Sequence, residues 1–546
     1  MLRFSPTRQP LEGEHFHVIV IGGGINGVAI ARECARAGRR TLLVEQQDFA
    51  AGTTSRATRI IHGGLRYLEH GEMGLVRESL RERQHLLRER PHLVHPLQFL
   101  LALGPQSRRS ALTVRVGLWL YRRLAGSGFG ARQGETDEHK LERLLDSGVK
   151  WSIFSFEDAQ CEFPERLVAE WLGETIAAGG VARNHAQVLA VDVRHGRAAG
   201  VLLRDRLSGK EERVEATWII NATGPWADRV CQRSHVNTKQ PLIGGVRGSH
   251  IVLPRFAGAP DAALYTEAVD GRPVFVIPWN DQVLVGTTEV ADHSDPSKTA
   301  PTPDEIDYLV NSLHKLFPRL KLSLADIRYS FSGVRPLPFT PKGDLGAVSR
   351  KHYLHDHSDE GATHMISVIG GKLTTAGELA RQCAAKIGIS QKAAALTVLA
   401  QEDQLELLFD RCVSEIAGAV GLNDDAARGI VEWHGRRTPL IARLAAKNPE
   451  FRTPLCAHTQ HIVAEAVDAL AGECAVTLGD ILLRRVPVAL GSCWSEACSR
   501  EAAARIAPAL GWDERQAAAE LEAFENERAA FLHKPARLAS LQPAAD

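Results

Sequence analysis

The sequence predicts an α/β protein with a helical C-terminal region, and three observations predict it. The first is an apolar strand, His17 to Ile21, that runs into Gly22-Gly23-Gly24-Ile25-Asn26-Gly27, then a helix, then a second apolar strand, Thr41 to Val44, closed by Glu45. The second is a set of short strands mid-chain, of which Val274 to Ile277 and Val283 to Gly286 read as a hairpin around Trp279-Asn280-Asp281-Gln282. The third is the change, from about residue 391, to an Ala-, Leu-, Glu- and Arg-rich composition with helical periodicity.

Each part of the first element has a physical task. Gly22 permits the tight turn, Gly24 lets backbone approach a pyrophosphate, and Gly27 packs helix against strand, which is a Rossmann-like arrangement. The helix N-terminus at Ile25 and Asn26 then offers free N–H groups and a positive dipole end to the phosphates. Glu45, roughly 20 residues on, can accept hydrogen bonds from a ribose 2′-OH, which argues against a 2′-phosphate. The small, hydroxyl-rich run after Glu45 contains Thr53, Thr54 and Ser55 and reaches His62, Gly63 and Gly64. Glycine and hydroxyl residues suit it to wrapping a long cofactor, FAD rather than NAD.

At this point the sequence resembles the FAD-dependent glycerol-3-phosphate dehydrogenases of the aerobic, respiratory type. The match is carried by the Gly22 turn and by Thr53-Thr54-Ser55-Arg56-Ala57-Thr58-Arg59-Ile60-Ile61-His62-Gly63-Gly64-Leu65-Arg66-Tyr67-Leu68-Glu69. It continues through Asn221-Ala222-Thr223-Gly224-Pro225-Trp226, Gly248-Ser249-His250-Ile251-Val252, Gly286-Thr287-Thr288-Glu289, Ser332-Gly333-Val334-Arg335-Pro336-Leu337 and Gly370-Gly371-Lys372-Leu373-Thr374-Thr375. Coverage runs from about residue 15 to 380, with a weaker match in the C-terminal part around Thr477 to Arg485. The resemblance implies further FAD contacts at Val188, Ala222, Gly224, Trp226, Gly371, Lys372, Leu373 and Thr374.

The domain plan follows. A discontinuous FAD-binding domain, residues 15–90, 181–226 and 325–390, should share one sheet; 91–180 and 227–324 should form an antiparallel-sheet substrate domain, and 391–546 an α-helical domain. The ends, Met1 to Glu14 and Pro535 to Asp546, read as disordered tails.

Composition fits a large enzyme of several domains. The 65 basic and 65 acidic residues give no general attraction to nucleic acid. The nine cysteines include no Cys-x-x-Cys, so neither a disulfide framework nor a zinc motif is expected. Cys456 with His458 and His461 is the nearest approach to a metal cluster and, lacking further ligands, reads as ordinary surface and core residues, so no metal is expected. No signal peptide or membrane span is visible, and a cytoplasmic location is expected. Residues 107–125 combine Arg108, Arg109, Arg115, Arg122 and Arg123 with Leu112, Val116, Trp119, Leu120 and Leu124, with Trp119 and Tyr121 placed for the boundary. That is the pattern of an interfacial helix, with a core-packed helix bearing solvated arginines as the alternative, and the resemblance implies peripheral attachment to the inner membrane and electron transfer to quinone.

For chemistry, a flavin takes a hydride from a carbinol carbon, while a base receives the hydroxyl proton. His62 and His250 qualify as base by residue type; His62 alternatively holds the Gly63-Gly64 loop against the flavin. Arg335, flanked by Gly333 and Pro336, is the leading phosphate ligand, joined through the resemblance by Arg350 and Lys372. The chain departs from the family at Arg247 (lysine in the family), Arg59 (lysine), Cys161 to Leu167 (where paired acids are usual), Ala376-Gly377 (Tyr-Arg) and near Leu396 to Ala400, where a Gly-rich turn is missing. These changes are expected on the substrate side. Three readings stay open: a glycerol-3-phosphate dehydrogenase passing electrons to quinone, an oxidase of that or another 2-hydroxy or amino acid, and a non-catalytic FAD-binding paralogue acting through its helical domain. A homodimer is also left open.

Overall fold

The computed structural model describes residues 8–68, 71–105, 107–125, 135–341, 351–389 and 402–534. Its first sheet has eight strands. Strand His15–Ile21 lies between Thr41–Val44 and Glu211–Asn221, parallel to both, with Ile21 opposite Val44 and Asn221. Met365–Ile369 adds a further parallel strand beside Glu211–Asn221, and Val181–Arg183 adds one beside Thr41–Val44. Successive residues point to opposite faces, so Val18 and Val20 enter one core and Ile19 and Ile21 another; both are buried, which is why the strand is a continuous apolar run. Helices Ile25–Arg36 and Ala376–Lys386 cover the first of these faces.

The second sheet has nine strands and is mostly antiparallel. The expected hairpin is present as Pro273–Trp279 and Gln282–Gly286, joined at Asn280 and Asp281, both at positive φ. One face packs on helix Pro303–Leu316 through Leu100, Ile251, Val276 and Leu309; the other, through Phe99, Val252, Ile277 and Leu284, meets the C-terminal helices.

The domain plan differs from the observed pairing in three places. Tyr329–Arg335, expected in the FAD sheet, pairs with Val246–Pro254 in the second sheet, Arg335 facing Val246. Ile60–Ile61 likewise joins Ser152–Cys161. Helix Pro164–Ala177, assigned to the substrate domain, packs Leu167, Val168 and Leu172 into the same core as Val28. In each case the chain crosses between the sheets within one sequence segment, so contiguity misled.

From Glu402 to Phe531 the described chain is helical, and the 391 boundary lies outside the described residues. Two buried ion networks fasten this part to the sheets. Asp48, just after the second strand, receives both Nη groups of Arg485 at 2.8 Å and the Nε of Arg484. Arg166 forms a bidentate pair with Glu473, 2.8 and 2.9 Å, both side chains fully buried. Residues 8–14 pack against the rest of the chain, contrary to expectation: Leu11 is buried and Arg8 pairs with Asp205. Residues 1–7 and 535–546 lie outside the described residues.

Helix Ala111–Ala125 carries two apolar stripes. Val114, Leu118 and Tyr121 are buried, whereas Leu112, Val116 and Trp119, on the opposite face, are 68, 55 and 59% exposed. Tyr121 therefore does not sit at a surface boundary; its hydroxyl donates to buried Asp158 at 2.9 Å. No helix among the described residues is long and apolar enough to cross a membrane.

Candidate active site

The glycine turn stands at the C-terminal end of strand His15–Ile21. Gly22 has φ +104°, and a Cβ there would lie 2.6 Å from the Ala222 carbonyl oxygen. A Cβ on Gly27 would lie 1.8 Å from the Gly22 oxygen. At Gly24 the nearest atom to a Cβ is Thr54 Oγ1 at 3.3 Å. Gly22 and Gly27 are thus demanded by the fold itself, whereas Gly24 borders open space in the cleft. Thr54 Oγ1 also accepts from the N–H of Ile25, the first helical residue. Glu45 accepts from Gly23 N–H through one carboxylate oxygen (2.7 Å) and from Gln47 N–H through the other (2.8 Å). Burial raises its pKa, partly opposed by these two bonds. Each oxygen keeps a lone pair for a ribose hydroxyl.

From this turn a cleft of about 550 Å³ extends between the two sheets. Its wall includes Gly22, Gly24, Ile25, Asn26, Glu45, Thr53, Thr54 and His62. Val188, Ala222, Gly224, Trp226, Gly371, Lys372 and Leu373 also line it. Five residues expected as cofactor contacts are set back from the wall. Gly27 is under Gly22; Ser55 is buried and donates to the Ala50 carbonyl at 2.8 Å; Thr374 is buried and its Oγ1 accepts from His62 N–H at 3.1 Å. Gly63 and Gly64 leave room for Leu80, Tyr121 and Tyr67, whose atoms would lie within 2.4 Å of an added Cβ. The Gly63 N–H is held by Asp158, which also takes bonds from Tyr121 and Arg83 and whose pKa burial pushes up to about 6. The backbone cradle and the length of the cleft fit an extended dinucleotide with its phosphates at the turn.

Elsewhere in the cleft, Arg335 closes its strand with its guanidinium 3.1 Å from Thr287 Oγ1 and 3.4 Å from Glu289. Gly248 makes this possible: a Cβ there would lie 2.4 Å from Thr287 Oγ1 and 2.8 Å from Arg335 Nη2. His250 is buried, stacked on Phe331 at 5.0 Å, with Nε2 3.0 Å from Thr58 Oγ1. Burial, then the charges of Arg335 and Arg59, push its pKa down to about 3, so it is neutral near pH 7. Lys372 Nζ lies 3.8 Å from the centre of the Tyr67 ring, and His62 lies 6.2 Å from the same ring, centre to centre. Arg350 lies outside the described residues.

Sequence reasoning gave no role to Thr58, Tyr67 or Thr287, although each stands inside a quoted motif. They are identified only by what crosses over to meet them. Arg56 lines the cleft as well, donating to the Ser332 carbonyl and lying 5.1 Å from the Phe531 ring; burial pushes its pKa down to about 10.

Of the departures expected on the substrate side, Arg59 borders the cleft, while Glu165, Arg247 and Ala376-Gly377 lie in the frame. Arg59 is fully buried and bidentate to Glu165 at 2.9 Å, so an acid is retained, on a helix begun by Pro164. Arg247 pairs with Asp292 and Glu305. Ala376 and Gly377 open a helix, and Gly377 leaves space for Glu82. The missing turn near Leu396 lies outside the described residues.

Over residues 17–377 the chain matches the family described as FAD dependent oxidoreductase, and over 362–517 the C-terminal domain of alpha-glycerophosphate oxidase. It is 36% identical to a glycerol-3-phosphate dehydrogenase of Synechocystis sp., across 88% of this chain and 90% of that one. It is also 36% identical to the aerobic glycerol-3-phosphate dehydrogenase of Escherichia coli, across 68% and 73%. In fold it is similar to the glycerol-3-phosphate dehydrogenase of Bacillus halodurans solved in complex with FAD, with a TM-score of 0.75, 22% identity, and 95 and 96% of the two chains covered. The glycine turn, the cleft and these matches together establish that the chain belongs to the FAD-dependent glycerol-3-phosphate dehydrogenase family.

Proposed function

We propose that this protein oxidises sn-glycerol 3-phosphate to dihydroxyacetone phosphate and passes the electrons to a membrane quinone. The observation that carries the substrate half is the Arg335 guanidinium, lining the cleft beside Thr287 in a space that Gly248 leaves open. A planar, two-pronged donor of fixed orientation suits a phosphate dianion, and Lys372, which also lines the cleft, supplies further positive charge. FAD bound in this cleft would supply the acceptor for the hydride of the carbinol carbon. Glu45 and the Gly22 turn would hold its ADP half, and the Thr53–His62 run and Gly371–Leu373 would border the remainder. His250, kept neutral, accepts the hydroxyl proton; burial is the main cause of its low basicity, and a dianion at Arg335 offsets only the smaller contribution of that guanidinium. His62, whose N–H is tied to Thr374, orients the loop at the flavin.

The exposed Leu112, Val116 and Trp119 stripe, with Arg115 and Arg123 beside it, supports peripheral attachment to the cytoplasmic face of the inner membrane, where quinone is reached. Arg108 and Arg109 contribute less, because both are engaged at Glu267 and Asp270.

Anaerobic mixing tests the substrate: glycerol 3-phosphate should bleach the flavin. A flavin that stays oxidised with it, yet is reduced by another 2-hydroxy or amino acid, overturns the reading. Quinone-analogue reduction without matching oxygen consumption distinguishes dehydrogenase from oxidase. The His250 assignment has its own signature. A histidine whose pKa falls from 6.5 to about 3 on folding stabilises the fold above pH 6.5 and loses that contribution as the pH drops towards 3. The fall in Tm between pH 7 and pH 5 should therefore be smaller in His250→Asn than in the parent, and equal falls would place His250 in a solvated site.

A further inference from the structure

The C-terminal helical domain holds a second cluster of reactive side chains, remote in sequence from the cleft. Two loops meet there. One runs from Leu455 to His461 and is pinched at its base by the bridge between Pro454 and Ile462 and by the Leu455 N–H to His461 carbonyl bond at 2.7 Å. The other runs from Gly491 to Ser495, the N-cap of helix Glu496–Leu510. The first loop is tied to that helix by the Ala457 N–H to Glu501 carboxylate bond of 3.0 Å. Between them, ligand atoms of Cys456, His458 and Cys498 all lie within 4.8 Å of one another. Cys456 and Cys498 are buried and His458 is exposed, so the group sits at the surface with one open side. Exposed Cys493 stands next to the group, its thiol 3.8 Å from the His458 carbonyl and Cys498 Sγ 3.6 Å from the Cys493 carbonyl.

We propose that Cys456, His458 and Cys498, with Cys493 as the fourth ligand, form a structural site for a zinc-class divalent cation that staples the two loops. Cys498 Sγ is 3.5 Å from His458 Nδ1. Two ligands of a tetrahedral zinc, with Zn–S of about 2.3 Å and Zn–N of about 2.0–2.1 Å, stand about 3.5 Å apart, so the loops hold these atoms at coordination distance. Three thiols and one imidazole form a soft donor set of the kind that closed structural zinc sites use, and they would leave no position open for catalysis. Cys498 in the first turn of its helix is placed where the dipole favours a thiolate. His461, which the sequence places near Cys456 and His458, is not part of it; it stacks on Trp433 at 3.7 Å and bonds Glu465. Cys498, which joins Cys456 and His458 in its stead, lies 40 residues beyond His458.

The test uses the full-length flavoprotein, purified without affinity metal under reducing conditions, incubated with excess zinc and desalted. Elemental analysis should give about one zinc per chain, falling at least tenfold in the Cys456→Ser/Cys498→Ser variant and only in part in Cys493→Ser. With cobalt in place of zinc, the parent should show tetrahedral d–d bands at wavelengths beyond the flavin absorption. Parent protein that retains no metal after this treatment overturns the proposal, as does zinc retained equally by parent and double variant. A Cys456–Cys498 disulfide, seen as a loss of two titratable thiols and two mass units in the parent, also overturns it. Should the double variant fail to fold, the cobalt spectrum of the parent and its loss on adding a chelator decide the matter.

Discussion

At one end of the cleft, Gly22, Gly23, Gly24 and Glu45 belong to a single strand–helix–strand unit, and the bond from Gly23 N–H to the Glu45 carboxylate joins residues 22 apart. At the other end, Arg335 reaches its place because Gly248, from a different strand, has no side chain, and because Thr287 and Glu289 arrive on the far side of a hairpin. The first end is built by local geometry and the second by register between distant strands. Local geometry leaves a mark in the sequence because each glycine's reason lies within a few residues of it. Register leaves none, because the reason for Gly248 is the position of Arg335.

If this contrast is right, substitutions at the two ends should fail differently. The largest effect is expected at Gly27: Gly27→Ala puts a Cβ 1.8 Å from the Gly22 carbonyl oxygen, so strand and helix must part, and both folding and FAD content should be lost. Gly24→Val sharpens the point. Its nearest neighbour would be a threonine hydroxyl at 3.3 Å, so the chain should fold, with unchanged far-ultraviolet circular dichroism, and lack FAD. Full FAD occupancy in Gly24→Val would remove the phosphates from this turn.

Next in size is the frame behind the substrate end. Glu165→Ala leaves the fully buried Arg59 guanidinium without its carboxylate, which should cost about 3–5 kcal/mol, read from denaturant midpoints. The double variant Arg59→Met/Glu165→Leu should recover most of that loss, because an apolar pair of similar volume carries no desolvation cost. A Glu165→Ala protein as stable as its parent would mean that Arg59 finds solvent.

Much of the fold was legible. The continuous apolar runs at Val18–Ile21 and Leu42–Val44 announce strands buried on both faces, and the Asn280-Asp281 turn announces its hairpin. The dinucleotide end was legible for the same reason. What the sequence did not disclose are places where the chain changes sheet, as at Ile60–Ile61 and Tyr329–Arg335, and the partners of buried charges. Arg59 looks like a mild exchange and Cys161 to Leu167 like a lost acid pair until Glu165 is seen to close on Arg59. The Cys456 cluster was passed over for a related reason: its completing cysteine comes from another helix.

The central claim is that Arg335 reads a phosphate, and kcat/KM for Arg335→Lys against its parent tests it most directly, with glycerol 3-phosphate and glycerol as paired substrates. Lysine keeps the charge and loses the fork, so a loss of about 1.5–3 kcal/mol, roughly ten- to a hundredfold, is expected for glycerol 3-phosphate, with little change for the poor substrate glycerol. Equal efficiency of the two proteins on glycerol 3-phosphate, or an equal loss on both substrates, would contradict the account.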